Sequence, residues 1–214
     1  MTKVTRWWWI RHAPVLVEPG VMYGQQDLPC DCTDVPRFKA LAAVLPPQAP
    51  CLVTPLRRTR ETAAALVTAG WQPGPETVVE AFKEQNFGQW QGQRYDQLDN
   101  VRDSMRRNFW YAPAFERAPQ GESFAELAAR VIPAILALSR EHAGRDIVAV
   151  THGGVMRAAL MLALGLPVER ALAFSVPNCA LTVLDHIRNG DEPPAWRVNN
   201  VNWEPQPTVK GHGV

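Results

Sequence analysis

Trp7-Trp8-Trp9-Ile10 runs straight into Arg11-His12, and far downstream Ile147-Val148-Ala149-Val150-Thr151 runs straight into His152-Gly153-Gly154. Each is an apolar run of strand length with no polar alternation, the pattern of a strand buried on both faces of a parallel sheet. Ligands of open α/β sheets bind at the carboxyl ends of parallel strands. Two histidines and an arginine would therefore arrive at one edge.

Outward from these runs, strand and helix signals alternate. The stretch 18–29 is rich in Gly, Pro, Gln and Asp and reads as a loop. Thr33 or Asp34 can cap a helix, Pro36 suits its first turn, and Val35, Phe38, Leu41 and Leu45 recur at helical spacing before Pro46-Pro47. Cys51-Leu52-Val53 reads as a short buried strand, and Thr54-Pro55 opens a helix toward Gly70, a C′ residue. Residues 77–80 are a further strand candidate. Ser123 and Glu126 form a capping box for a helix reaching about Arg140, with Pro133 expected to kink it. The helix after the second histidine strand stops near Leu164, at Gly165 and Pro167. Residues 180–187 and 195–201 alternate as two antiparallel strands around Arg188-Asn189-Gly190-Asp191. No linker or repeat interrupts the series. The expected fold is a single α/β domain over 1–202: a mostly parallel central sheet, helices on both faces, and an antiparallel C-terminal addition. An irregular tail is expected over 203–214.

Composition narrows the partners. The chain has 214 residues, 46% hydrophobic and 20% charged, with apolar mass for a sizeable core. Its 22 Lys+Arg against 21 Asp+Glu give no electrostatic reason for a nucleic acid or an anionic membrane, so a small molecule is the expected partner. The run at Trp7 is too short for a signal peptide, and no stretch approaches a membrane span, so the expectation is the cytoplasm. The one-residue spacing of Cys30 and Cys32 is poor for structural zinc. With Cys51 and Cys179, they are expected to be buried or incidental reduced thiols.

Phosphoryl transfer needs cations and N–H donors around the equatorial oxygens, an in-line nucleophile, and a proton for the leaving group. The strand ends offer Arg11, His12 and His152, the last followed by two glycines at a helix start. Arg58 falls in the first turn of the helix after Thr54-Pro55, where free N–H groups also suit an anion. Glu84 follows a strand candidate and can reach the same edge. His142, His186 and His212 lack such company and read as surface or structural. Arg57, Arg60 and Lys83 read as solvated charges. The cluster Arg102, Arg106 and Arg107 reads as another solvated face, or alternatively as the entrance that attracts an anionic substrate. The eight tryptophans read as core and crevice lining.

Arg11-His12, Thr54-Pro55-Leu56-Arg57-Arg58 with Thr62-Ala63, Glu84 with Phe87-Gly88-x-Trp90-x-Gly92, Gly121-Glu122-Ser123 and His152-Gly153-Gly154 occur in that order. Together, over roughly residues 5 to 185, they resemble the histidine phosphatase superfamily, the group related to cofactor-dependent phosphoglycerate mutase. Tyr23-Gly24-Gln25 and the short length look most like its bacterial α-ribazole phosphatase branch. The resemblance implies hydrolysis of a small-molecule phosphomonoester. His12 would be the phosphorylated nucleophile, and Arg11, Arg58 and protonated His152 would hold the phosphoryl oxygens. Glu84 would act as acid and then base, with Gly24, Gln25 and Gly153 at the substrate and neither metal nor cofactor. A mutase and a catalytically weak sensor or scaffold are the alternatives, and the compact chain favours the phosphatase. A homodimer is the assembly that an antiparallel edge would permit. The family usually places Gly and a hydroxyl residue after Arg-His, where this chain has Ala13-Pro14-Val15. Glu18 stands at a phosphate-binding asparagine, and Gln91 at an acid.

Overall fold

A computed structural model of the chain describes residues 1–98 and 113–204. One six-stranded sheet, in the order β3-β2-β4-β1-β5-β6, forms its centre. The strands are β1 (Thr2–Arg11), β2 (Cys51–Val53), β3 (Glu76–Val78), β4 (Asp146–Thr151), β5 (Leu181–Asn189) and β6 (Ala195–Trp203). β1, β4, β2 and β3 pair in parallel, while β5 lies antiparallel to β1 and to β6. The sheet is thus parallel in its first half with an antiparallel addition, as expected.

The apolar runs divide between two cores because successive side chains on a strand face opposite sides. Trp7, Trp9, Ile147 and Ala149 pack under α3 (Phe124–Glu141) and α4 (Gly153–Leu164). Ile10, Val148, Val150, Cys51 and Val53 pack under α1 (Val35–Val44) and α2 (Arg57–Thr68). Trp7 and Trp9 stack at 4.5 Å with Phe82 against their edges, and Trp7 Nε1 donates to Ser139 Oγ at 2.9 Å. Fully buried, each indole contributes roughly 4–6 kcal/mol of transfer free energy, an upper estimate that accounts for the Trp run as core.

Local signals set the element ends. Asp34 caps α1 by accepting from Arg37 N, and Ser123 with Glu126 closes the capping box of α3. α3 continues as helix through Pro133. Gly165 takes the left-handed conformation that ends α4. Several elements differ from expectation. α2 starts at Arg57, with Leu56 at its cap and no side-chain cap bond, and the Thr54 hydroxyl accepts Leu56 N at 3.3 Å just before it. β3 covers Glu76–Val78 and is exposed, and Glu80–Phe82 is a 3₁₀ turn. A short helix, α5 (Val168–Ala171), follows Pro167. β6 runs to Trp203, so the strand takes the first residue assigned to the tail. Residues 205–214, with His212, and the cluster Arg102, Arg106 and Arg107 lie outside the described residues. Among the described residues, no helix is long and apolar enough to cross a membrane.

Candidate active site

The two histidine strands are direct neighbours, in a register that pairs Arg11 with Thr151. The ladder continues one step further, His12 N donating to Thr151 O at 2.9 Å. His12 and His152 therefore leave the sheet side by side, ring centroids 5.2 Å apart, both fully buried.

His12 is oriented by its own loop. Its Nδ1 lies 2.7 Å from the Ala13 carbonyl, which can only accept, so Nδ1 carries the proton. Nε2 then presents a free lone pair, with no partner among the described residues. Asn178 Nδ2 holds the His12 carbonyl at 2.7 Å, and Thr62 Oγ1 accepts Ala13 N at 2.9 Å. Burial, joined by the cations of Arg11 and Arg58, holds His12 well below the ordinary imidazole value, which keeps the ring neutral.

His152 is the N-cap residue of α4, and its Nε2 lies 2.9 Å from Thr54 Oγ1. Burial, then the charge of Arg58, pushes its pKa well below 6.5. The resemblance implies an imidazolium at the phosphoryl group; in the ligand-free protein the surroundings favour the neutral ring. If Nε2 accepts the Thr54 hydroxyl proton, Nδ1 carries a hydrogen and can donate to an anion without a net charge.

Arg58 is fully buried, whereas Arg57 is exposed and paired with Glu61. Arg58 donates to Gly24 O at 2.6 Å and Gln26 O at 2.7 Å, and its guanidinium lies over the Tyr23 ring at 5.1 Å. Gly24 has φ +45, and a Cβ there would meet Gln91 Oε1 at 2.5 Å, so only glycine fits this crossing. Arg11 bonds the Val176 carbonyl through Nη1. Gln25 donates to Glu84 O at 2.9 Å and its backbone N–H to Gln91 Oε1 at 2.8 Å, so it braces the Glu84 loop. Gly153 places its Cα hydrogens beside Arg157 and Arg11, where a Cβ would sit 3.1 Å from Arg157 Nη1 and 3.7 Å from Arg11 Nε.

Glu84 lies at the N-terminus of α4. Its Oε1 accepts from Gln85 N at 2.9 Å and Gly154 N at 3.2 Å. Arg130 of α3 supports the loop by donating to Ala81 O at 2.7 Å and Glu84 O at 3.0 Å while pairing with Glu122 at 2.6 Å. Glu122 in turn accepts Asn86 N at 2.9 Å, which explains the presence of Gly121-Glu122-Ser123 in the motif series. Asn178 and Arg130 escaped the reading of the sequence, and Thr62 entered it only as part of a motif, with no role assigned. Each acts by reaching a backbone group distant in the chain, and no spacing marks such a residue. Glu18 is exposed, and its carbonyl closes a turn with Val21.

Seven buried side-chain polar atoms have no partner among the described residues, and four of them are Arg11 Nε, His12 Nε2, Arg58 Nε and His152 Nδ1. Native proteins rarely leave such atoms unpaired. These four fall on two adjacent strand ends and one helix start, and comprise two guanidinium N–H groups, the Nδ1 of His152 and the Nε2 lone pair of His12. Among the described residues, no group of three or more His, Cys, Asp or Glu side chains is gathered to hold a metal ion.

Residues 7–200 match the histidine phosphatase superfamily (branch 1). A glucosyl-3-phosphoglycerate phosphatase of Mycolicibacterium vanbaalenii is 32% identical over 179 residues, covering 78% of this chain and 77% of the relative. A probable phosphoglycerate mutase, GpmB, of Erwinia tasmaniensis is 30% identical over 137 residues, 63% of this chain and 62% of the relative. The native structure of a mycobacterial glucosyl-3-phosphoglycerate phosphatase superposes with a TM-score of 0.76 at 25% identity, covering 93% of this chain and 99% of that one. That phosphatase has also been solved in complex with VO3. The match across nearly the whole described sheet, with the paired histidines at its edge, has one reading: the chain belongs to the histidine phosphatase superfamily.

Proposed function

We propose that the chain is a phosphatase that hydrolyses a small-molecule phosphomonoester through a phosphohistidine on His12, without a metal. The carrying observation is the set of four buried nitrogens without a partner among the described residues, on Arg11, His12, Arg58 and His152, one of them the Nε2 lone pair of a neutral imidazole. In the first step, Nε2 bonds phosphorus as the bond to the leaving oxygen breaks, and Glu84 donates that oxygen a proton. In the second, Glu84 takes a proton from water, whose oxygen attacks phosphorus, and His12 departs with its bonding pair. Arg11, Arg58 and His152 hold the equatorial oxygens in both steps, and the low dielectric of the pocket strengthens those contacts. Gly24 and Gln25 serve this site indirectly, one by fixing Arg58 and the other by fixing the Glu84 loop, and Gly153 lets an anion approach the start of α4.

The relatives' names suggest where a substrate search begins. A 32% identical protein named for glucosyl-3-phosphoglycerate makes phosphorylated glycerates and sugars the first candidates. The test is a phosphate-release screen over such monoesters, with and without chelator and vanadate, and with His12→Ala alongside. Turnover should survive the chelator, fall with vanadate, and vanish in His12→Ala. Turnover that His12→Ala retains would overturn the phosphohistidine route. Interconversion of phosphoglycerates with little phosphate release would make the protein a mutase.

A further inference from the structure

The thiols of Cys30 and Cys32 are 3.6 Å apart and half-buried. In extended chain, residues i and i+2 point to the same side, so the contact is built into the local backbone. This pair lies against the floor of the site. Cys30 Sγ is 3.4 Å from Arg58 O, 3.5 Å from Glu61 Oε2 and 3.6 Å from Thr62 Oγ1, the hydroxyl that holds Ala13 N. Asp31 N donates to Pro14 O at 2.7 Å, and Cys30 bridges to Val15. Ala13-Pro14-Val15, where the chain departs from its family, is therefore anchored on the segment that carries the two thiols.

We propose that Cys30 and Cys32 form an oxidisable dithiol, which a hydroperoxide converts to an intramolecular disulfide that displaces the His12 loop and slows turnover. The consequence for turnover rests on the phosphatase reading, whereas the disulfide itself does not. The hydrogen bond from Cys30 lowers the Cys32 thiol and raises that of Cys30, so Cys32 is the attacking sulfur. Cys51 and Cys179 are buried and pushed up to about 12. The Cys32 thiolate attacks one peroxide oxygen, the O–O bond breaks, and the departing hydroxide takes a proton to become water, leaving a sulfenic acid. Cys30 sulfur then attacks Cys32 sulfur. The S–O bond breaks, and the second hydroxide leaves as water with the Cys30 proton. Two thiols are oxidised and one hydroperoxide is reduced. Bonding draws the sulfurs to about 2 Å, and the part of that movement taken by Cys30 comes out of its contacts with Arg58 O and Thr62 Oγ1 of α2.

The experiment treats the reduced full chain with hydrogen peroxide, blocks residual thiols, and measures intact mass, peptide map and p-nitrophenyl phosphate turnover before and after dithiothreitol. Wild type should lose two hydrogens, with the link mapped to Cys30 and Cys32. Its turnover should fall by about tenfold to a hundredfold, the cost of a displacement approaching 1 Å at a reacting centre. Dithiothreitol should restore it. Cys32→Ser and Cys32→Ala should start at wild-type turnover and resist peroxide, while Cys179→Ser should respond as wild type. A link to Cys179, thiols that only climb to sulfinic acid, or a Cys30–Cys32 link without change in turnover would each overturn the proposal. If the reduced enzyme does not turn over, the phosphatase reading fails by itself. The mass measurement then still decides the link, and vanadate binding followed by tryptophan fluorescence reads the loop.

Discussion

Gly154→Ala is the sharpest probe of how Glu84 is held. Gly154 is the second residue of α4, and an alanine Cβ there would lie 2.5 Å from Glu84 Oε1 and 2.9 Å from Leu127 Cδ1. Ordinary contact begins near 3.4 Å, so the carboxylate must retreat by about 0.9 Å and lose its bond from Gly154 N. The helix gains up to about 1 kcal/mol from replacing glycine, which roughly offsets one lost hydrogen bond of 0.5–1.5 kcal/mol. Crowding the fully buried Leu127 adds an overpacking cost of about 1–3 kcal/mol, so the melting temperature should fall by about 2–12 °C with the fold kept. A displacement of about 1 Å at a reacting group costs on the order of a hundredfold. The loss should fall on substrates that need a proton: about a hundredfold in kcat for alkyl phosphates and under tenfold for p-nitrophenyl phosphate, whose leaving group is already acidic. The assay is paired kinetics on the two substrate classes with a melting curve. Wild-type turnover of the alkyl phosphate, or an equal loss on both classes, would show that Glu84 is not the proton donor held by this helix start.

Glu84→Gln should lower kcat for alkyl phosphates by about 10²–10⁴-fold and spare aryl phosphates, as steady-state kinetics will register. Arg58→Lys keeps the charge but cannot span Gly24 O and Gln26 O together, so a buried acceptor is left short by about 1–3 kcal/mol. Urea denaturation should show that cost, and phosphate should bind more weakly. His12 and His152 are both held neutral, their folded pKa values lowered below the unfolded 6.5. Below about pH 6.5 the unfolded chain takes up protons that the folded protein declines, so stability is full above that pH and lost on acidification. The slope from the pair approaches about 2.7 kcal/mol per pH unit. Urea midpoints at pH 7.5 and 5.5 measure it, and His152→Gln should remove about half of the pair's slope. An unchanged slope would mean that the rings protonate in the folded protein.

The architecture was legible in the order of the residues, because that part is written in local and periodic terms. Two unbroken apolar runs cannot be half-exposed strands, and the caps at Asp34 and Ser123 and the stop at Gly165 fix helix ends through bonds made within a few residues. The ordered motifs also nominated His12, Arg58, Glu84 and His152. What they could not supply was the work of long-range contacts. Only the parallel register of β1 on β4 sets the two imidazoles 5.2 Å apart, and only the packing around them lowers both pKa values. Arg130 reaching Glu84, Asn178 reaching His12 and the Cys30–Cys32 pair reaching Thr62 join residues scattered along the chain. A side chain's type marks what it can bond, but its partner is chosen by folding, which brings distant backbone groups into a dry interior where each must be satisfied.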